Sequence, residues 1–530
     1  MFSFMEKQFN TAGPNRLEWH YTLPPLERWD LQEILGLIET GRYFLLHAPR
    51  QTGKTSCLIA LAEYLNRGRR YRALYVNIET AQTAREDVGR GMACIVDAIA
   101  GSAGIYLADK EAEEMAARVR NTTPPDRVAS VFLRQWCESS SLPTVLMLDE
   151  VDALMGDTLV SLLRQLRSGY TDRPAHFPLS LILCGVRDLR DYRIQSAKEG
   201  VITGGSAFNV KAESLRLGNF TPANIATLYD LHTTATGQVF TKDALASAWD
   251  LTEGQPWLVN AVAHEATHRM VEYRDRTRPI TGAVLADAAE RIIQSRATHL
   301  DQLAYKLRED RVRRVIQPML ANAEGSSAMA QDDLEYVRDL GLVALDKPIR
   351  IANKIYREVI PRELTWTTQE TTVQETVWYL RPDGTLDLSK LLAAFQDFFR
   401  RHSEHWIERF DYAEAGPQLL LQAFLQRIVN GGGRIEREYG LGRGRTDLAI
   451  FWKHPGGEQR VVIEVKVGES LGPAALAEAL AQTGSYLDKI GAGEAHLIFF
   501  DRRPGRTWDE KLWRRAERDP QGRPVAVWGA

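Results

Sequence analysis

The sequence predicts a multidomain α/β protein, with two α/β units separated by a mainly helical region. Length points to several domains, because 530 residues exceed one core and suggest about three or four domains of ~100–200 residues each. The first third alternates short β-rich apolar runs with segments of helical period, as a parallel sheet covered on both faces requires. A second α/β stretch begins near Leu388. Hydrophobic residues make up 44% and charged residues 25%, an ordinary globular balance.

In chain order, "YFLLHA" reads as a strand that ends in a Gly-containing loop, and "TSCLIALAEYLNRG" as a helix closed by glycine. "ALYVNIE", "TVLMLDE" and "LSLILCGV" are three further strands. From about Leu215 to Leu364 the pattern turns helical. There "DDLEYVRDLGLVALDKPIRIANKIYREVI" reads as helix, short strand "GLVAL", turn at Asp346–Pro348, strand and helix, an order that suits a winged helix. "TWTTQETTVQETVWYLRPDGTLD" is polar and Thr/Gln-rich, the composition of a linker. The expected domains are therefore 1–212, 213–298, 299–365, a linker at 366–387, and 388–530.

Net charge is −3, so no global basic field favours nucleic acid, and any such contact needs a local patch. Cys57, Cys94, Cys137 and Cys184 lack metal-site spacing and read as reduced thiols of a cytoplasmic protein. No signal peptide and no apolar run of membrane-spanning length is read.

"APRQTGKT" follows the strand "YFLLH" and opens a helix. It has the spacing of a phosphate-binding P-loop, with Ala48 in place of the first glycine. Backbone N–H groups of Ala48, Pro49, Arg50, Gln51, Thr52, Gly53, Lys54, Thr55 and Ser56 (Pro49 lacking one) line the loop and helix start, where phosphate oxygens are cradled. Lys54 is expected on the β- and γ-phosphates of ATP, and the Thr55 hydroxyl on Mg²⁺. Asp149 ends the strand "TVLMLD" and is the second Mg²⁺ residue; Glu150 is placed to polarise the attacking water. Asp152 reads as a helix N-terminal acid. Arg187 in "GVRDLRDY" follows the strand "LSLILC", at the place of a γ-phosphate sensor or as a surface arginine. In "EGQPWLVN", Gly254 and Pro256 read as a helix start.

Taken together, "APRQTGKT", "LMLDEVD", "GVRD" and "GQPWLVN", followed by the winged-helix pattern, resemble AAA-like ATPases related to initiator and STAND-type signalling ATPases. The opening "FNTAGP…HYTLPP" resembles the lead of a bacterial group of such proteins. The resemblance covers roughly Met1 to Leu364 and implies that Pro256 lies near the nucleotide.

The strand "VVIEVKV" places Glu464 and Lys466 on one face. Burying two charges is costly unless they pair or hold a metal. Asp447 begins the neighbouring apolar run "LAIF", giving D-x₁₆-E-x-K. Asp447 and Glu464 are candidate ligands of a divalent metal that activates water, and Lys466 is the candidate catalyst beside them. A structural ion pair or an exposed edge is the alternative. The preceding helix "LLLQAFLQRIVN" has an apolar face of Leu420, Phe424 and Ile428, and in "AALAEALAQTGSYLDKIG" Gln482 and Tyr486 share one face.

This order of elements and residues resembles the PD-(D/E)XK, restriction-endonuclease-like superfamily, and "Q-x-x-x-Y" resembles the motif of its recombination-type exonucleases. The resemblance covers roughly Leu388 to Ala530. It implies Asp447 and Glu464 as metal ligands for Mg²⁺ or Mn²⁺, Lys466 as catalyst, and Gln482 and Tyr486 as site-ordering residues. The family often has a Glu in the first helix, where this chain has Gln418 and Gln422, with Glu414 just before.

His47 is read as a packed histidine, and His402 and His405 as lying on a solvated helix face. "RPGRTWDEKLWRRAERD", with Trp508 and Trp513, is expected either on DNA phosphates or as a solvated helix with packed tryptophans. The resulting expectation is an ATPase joined to a metal-dependent nuclease acting on DNA, in DNA processing or defence. The alternatives are a nucleotide-dependent switch whose nuclease-like part binds without cutting, and a winged-helix DNA-binding regulator. A homo-oligomer is compatible with this, with Arg164 and Arg167 as arginine-finger candidates.

Overall fold

The computed structural model describes residues 6–187, 193–196, 200–203, 211–295, 298–320, 330–364, 379–407, 420–422, 424–425, 433–441, 444–468, 470–501, 503 and 506–530. The chain forms two compact units, Met1–Ser295 with Leu334–Asn353, and Arg296–Asp333 with Lys354–Ala530.

In the first unit the strands are β1 (Tyr43–His47), β2 (Arg72–Asn77), β3 (Thr144–Asp149), β4 (Ser180–Gly185) and β7 (Lys211–Arg216), with β5 (Arg193–Ser196) and β6 (Gly200–Thr203) as a separate antiparallel pair. The five-stranded sheet runs β2-β3-β4-β1-β7 and is parallel throughout. Every residue of β1, β3 and β4 is buried. That explains their near-continuous apolar sequence, since both faces are covered. Alternation then sorts the side chains into two layers. Tyr43, Leu45, Leu146, Leu148, Leu181 and Leu183 pack with the helices Val88–Tyr106, Val128–Glu138 and Gly156–Ser168. Phe44, Leu46, Val145, Met147, Ile182 and Cys184 pack with Leu31–Glu39 and Lys54–Arg67.

Local signals set the helix ends. The Asp30 side chain accepts from Glu33 N at 3.0 Å. Thr221 and Asn224 form a reciprocal capping box at the helix Pro222–Thr236, which Gly237 closes at φ 79°. The helix Val88–Tyr106 departs from expectation. It spans 19 residues and is apolar enough to cross a membrane by length and composition. Its residues Met92, Ile95, Val96, Ile99, Ala100 and Ala103 are buried in the first layer, as a core helix requires.

The second unit holds a mixed sheet of β8 (Gly433–Leu441), β9 (Gly444–His454), β10 (Gly457–Gly468), β11 (Glu494–Asp501), β12 (Trp513–Arg518) and β13 (Pro524–Gly529), ordered β12-β13-β11-β10-β9-β8. β8, β9 and β10 form an antiparallel meander. The helix Pro473–Ile490 then crosses over so that β11 runs parallel to β10. Ala449, Phe451, Val462, Leu480, Leu487, Leu497 and Val527 form the core under that helix. Phe395 and Phe399 of the helix Leu388–Ile407 pack against Phe500 at ring-centroid distances of 6.1 and 5.2 Å.

Several sequence expectations need correction here. "WRRAER" is strand β12, not a helix, and only Trp508–Lys511 is helical. Among the described residues β12 is an edge strand paired with β13 alone, and an edge tolerates the charges that hid it. The "GLVAL" strand reduces to one bridge, Val343 to Ile351, between the helices Gln331–Asp339 and Lys354–Leu364. Residues 299–365, expected as one domain, divide between the two units. Most of the expected linker lies outside the described residues, but its end is ordered by a bridge from Leu380 to Leu386.

Candidate functional site

The parallel sheet of the first unit brings its candidate residues to one place. All five strands end at the same edge, where ligands bind in open α/β sheets. The loop Ala48–Gly53 leaves β1, Asp149 ends β3, and Arg187 follows β4, which lies between them. Gly53 takes φ 95° and Gln51 φ 58°, the left-handed turn that reverses the chain into the helix Lys54–Arg67. Lys54 is 8% exposed, and its Nζ donates to the carbonyls of Ala48 at 2.8 Å and Pro49 at 3.0 Å. The Thr55 hydroxyl donates to Asp149 Oδ2 at 2.7 Å. Asp149 is buried, and its Oδ1 accepts from Glu150 N at 2.9 Å. Glu150 sits at φ 62°, a strained conformation for a residue that carries a Cβ. Burial pushes its carboxyl above the usual range, and the Asp149 charge adds to the effect.

Three placements went unseen in the sequence. The Tyr75 hydroxyl donates to the same Asp149 oxygen at 3.1 Å. Burial and that carboxylate hold the phenol far above its ordinary value, so it stays a donor. Its signal was only its place in "ALYVNIE", two residues before the end of the strand paired with β3. Arg28 donates to the Thr52 carbonyl at 3.2 Å. His47 is more than packed: its Nδ1 lies 3.5 Å from Asp339, which also pairs with Arg216 at 3.2 Å.

Arg187 has its Nε 3.6 Å from Asp152 Oδ1 and its guanidinium 5.5 Å from the centre of the Tyr336 ring. Asp152 lies in the turn Val151–Ala153 and also accepts from Val186 N. It lies in the first turn of that short helix, as read, and in addition links the end of β3 to the residue after β4. Pro256 is buried at the first position of the helix Pro256–His264, and the Gln255 side chain caps that helix through Leu258 N at 2.6 Å. Gly254 takes φ 73°, and a Cβ there would stand 1.9 Å from the Phe220 carbonyl, so no other residue fits without rearrangement.

In the second unit the face of β10 that carries Val462, Glu464 and Lys466 is the one covered by the helix Pro473–Ile490. Glu464 is 4% exposed. Lys466 Nζ donates to Glu464 Oε1 and to Gln482 Oε1, both at 3.1 Å, and Gln482 Nε2 reaches Glu478 at 3.4 Å. The structure thus brings Glu464, Lys466 and Gln482 together. Tyr486, one turn further along, is buried in the core under the helix. Asp447 is in β9, next to Leu448, whose partner is Ile463, next to Glu464; its side chain lies outside the described residues. In the first helix Gln422 is 2% exposed, and neither polar atom of its amide has a hydrogen-bond partner among the described residues. Ile428, Gln418, Glu414 and the side chains of His402 and His405 lie outside the described residues. Among the described residues no cluster of three or more His, Cys, Asp or Glu side chains has metal-site geometry.

No protein-family profile and no curated protein matches the chain. Solved structures do. A Walker-type ATPase of Pyrococcus abyssi is 14% identical, covers 66% of this chain and 99% of its own, and has a TM-score of 0.47. Cdc6p of Pyrobaculum aerophilum is 15% identical over 66% of this chain and 94% of its own, with a TM-score of 0.35. The Holliday junction branch migration motor RuvB of Thermotoga maritima is 12% identical over 62% of this chain and 92% of its own, with a TM-score of 0.33.

Proposed function

We propose that the chain binds and hydrolyses ATP in its first unit and cleaves DNA with a divalent metal in its second. The observation that carries the ATP reading is the 2.7 Å bond between Thr55 and Asp149. It joins a helix-opening hydroxyl to a buried carboxylate across an intervening strand, beside a loop whose lysine is already folded inward. A hydroxyl and a carboxylate are hard oxygen donors, which suit Mg²⁺. A bound Mg²⁺ would neutralise phosphate charge there. Lys54 holds the β- and γ-phosphates, and the loop N–H groups orient them. Glu150, with its raised carboxyl pKa, takes a proton from the attacking water. Arg187 reads the γ-phosphate. Arg164 and Arg167, both exposed on the helix Gly156–Ser168, are the arginine-finger candidates toward a neighbouring copy of the chain.

The nuclease reading is supported by the Glu464–Lys466–Gln482 arrangement, by the neighbouring position of Asp447, and by the helix, meander, crossover helix and parallel strand order. Asp447 and Glu464 are the proposed ligands of Mg²⁺ or Mn²⁺, whose charge would activate water and stabilise the phosphodiester oxygens. Lys466 orients the nucleophile, Gln482 holds Lys466, and Tyr486 anchors that helix from the core. The helices and bridge between Thr298 and Leu364 support a winged helix as a DNA-contacting element.

A second reading, a nucleotide-dependent switch that binds nucleic acid without cutting, is favoured by one observation. Leu334–Asn353 packs within the first unit against the phosphate loop, where a Cβ on Gly341 would stand 2.7 Å from Pro49.

The test is incubation with linear, circular and single-stranded DNA and with RNA, with Mg²⁺ or Mn²⁺, with and without ATP, alongside phosphate release. Lys54→Ala should lower hydrolysis by about 10²–10³-fold. Full hydrolysis in that variant sinks the ATP site. Absence of cutting under every condition sinks the nuclease and leaves the switch.

A further inference from the structure

Arg28 stands on the turn Pro25–Arg28, just past the stretch "HYTLPP", and no role was read for it in the sequence. The turn is tied to the helix behind the phosphate loop by Cys57, whose thiol donates to the Pro25 carbonyl at 3.3 Å. Arg28 is half-buried, and among the described residues its hydrogen bonds go to carbonyls. One of its terminal nitrogens donates to the Thr52 carbonyl at 3.2 Å, and the other to the Gly218 carbonyl at 2.7 Å. The guanidinium also lies 4.4 Å from the centre of the Phe220 ring. A half-buried cation satisfied by two carbonyls and an aromatic face is a costly arrangement unless it fixes something.

What it fixes follows from peptide geometry. In a trans peptide the C=O and the next N–H point in opposite directions. Holding the Thr52 carbonyl on the Arg28 side therefore turns the Gly53 N–H to the other side. Gly53 is the residue at φ 95° immediately before Lys54. The flexibility that lets glycine take that turn also lets its peptide flip, so the loop needs an external anchor. The second carbonyl adds a consequence. Gly218 precedes Phe220, whose N–H donates to the Gly254 carbonyl at 2.8 Å, and Gly254 opens the turn into the helix Pro256–His264. One guanidinium thus holds the phosphate loop and the strand-to-helix junction that meets Gly254 and Pro256.

We propose that Arg28 is a positioning residue for the nucleotide site: it orients the Thr52–Gly53 peptide for phosphate and ties that orientation to the Gly218–Phe220–Gly254 joint. This rests on the ATP reading above. Lysine keeps the charge but lacks the planar fork that serves two carbonyls and a ring at once, so the conservative variant separates charge from geometry.

The experiment compares full-length wild type, Arg28→Lys and Arg28→Ala. It measures affinity for a non-hydrolysable ATP analogue, thermal unfolding, and analogue-dependent amide exchange over residues 216–256. Wild type should gain protection at 218–220 and 253–256 on binding. Arg28→Ala should bind about tenfold or more weakly, Arg28→Lys to an intermediate degree, and at saturating analogue both should lose the added protection at 218–220. If Arg28→Ala does not fold, Arg28→Lys decides alone. Wild-type affinity and wild-type exchange in the variant that folds overturn the proposal, and so does weakened binding matched by an equal loss of thermal stability with the exchange response intact. A wild type that binds no analogue overturns the ATP reading and this proposal with it. Binding without any protection at 218–220 overturns this proposal alone.

Discussion

Glu150 combines two features that the sequence could not supply together, a left-handed backbone and a carboxyl pKa raised by burial and by Asp149. The sign of the pH effect follows. For an acid whose folded pKa lies above its unfolded value, the stabilising contribution is fully present below the ordinary range of about 4.3 and is lost as pH rises through the raised value. The general-base role needs the ionised form, so hydrolysis should climb as pH rises through that same raised value. The acid limb of kcat should therefore sit above the ordinary glutamate range and vanish in Glu150→Gln, leaving a flat residual rate with nucleotide affinity preserved. A limb at unchanged pH in that variant would assign it to another group. The residues that were legible are those whose partners lie within one short motif or at the ends of adjacent apolar runs, such as Lys54, Thr55 and Asp149. Arg28 and Tyr75 reach the same site from 24 and 74 residues away from their bonding partners, and neither stands in a short motif whose spacing marks it.

Secondary elements were legible in proportion to how completely they are buried. β1, β3 and β4 are buried throughout, and their apolar runs announce them. β12 carries Arg514, Arg515, Glu517 and Arg518, and among the described residues just one of its edges is paired, so its charges imitate a solvated helix. The turn at Gly254 is the opposite case, since a short motif states a severe local constraint. Gly254→Ala would force a side chain into φ 73° and against the Phe220 carbonyl. Left-handed strain and overpacking together should cost about 2–4 kcal/mol. The expected result is a lower midpoint in thermal unfolding, with exchange increasing first at Phe220, whose N–H donates to the Gly254 carbonyl. A neutral substitution would mean that the turn relaxes without cost and does not restrain the helix Pro256–His264.

At the scale of the molecule, the chain passes between its units three times, and Leu334–Asn353 is the first unit's insert between two stretches of the second. No composition shift marks that division, because the insert is held by long-range polar contacts. Arg350 pairs with Glu253 at 2.6 Å, and Asp339 with Arg216 at 3.2 Å. The proposed ATP and nuclease sites fall in different units, so Glu464→Gln and Lys466→Ala should each abolish cutting while leaving ATP hydrolysis within about twofold of wild type. Coupling is a separate matter. A nucleotide shifts an arrangement only through its differential affinity for two states. Arg187 has such a difference available, because its guanidinium is paired with Asp152 and lies over Tyr336 of the insert. Drawn toward a γ-phosphate, it would loosen its contact with Tyr336, and the insert is joined to the second unit at both ends. We therefore expect cutting to differ between ADP and a non-hydrolysable ATP analogue, and the difference to shrink in Arg187→Ala while analogue binding persists. Tyr336→Leu, which removes the ring but keeps an apolar contact, should move the ADP rate toward the analogue rate. Equal cutting in the apo, ADP and analogue states would refute gating. The fusion would then serve to deliver the nuclease, and a fragment from Leu388 onward should cut as well as the full chain when supplied at higher concentration.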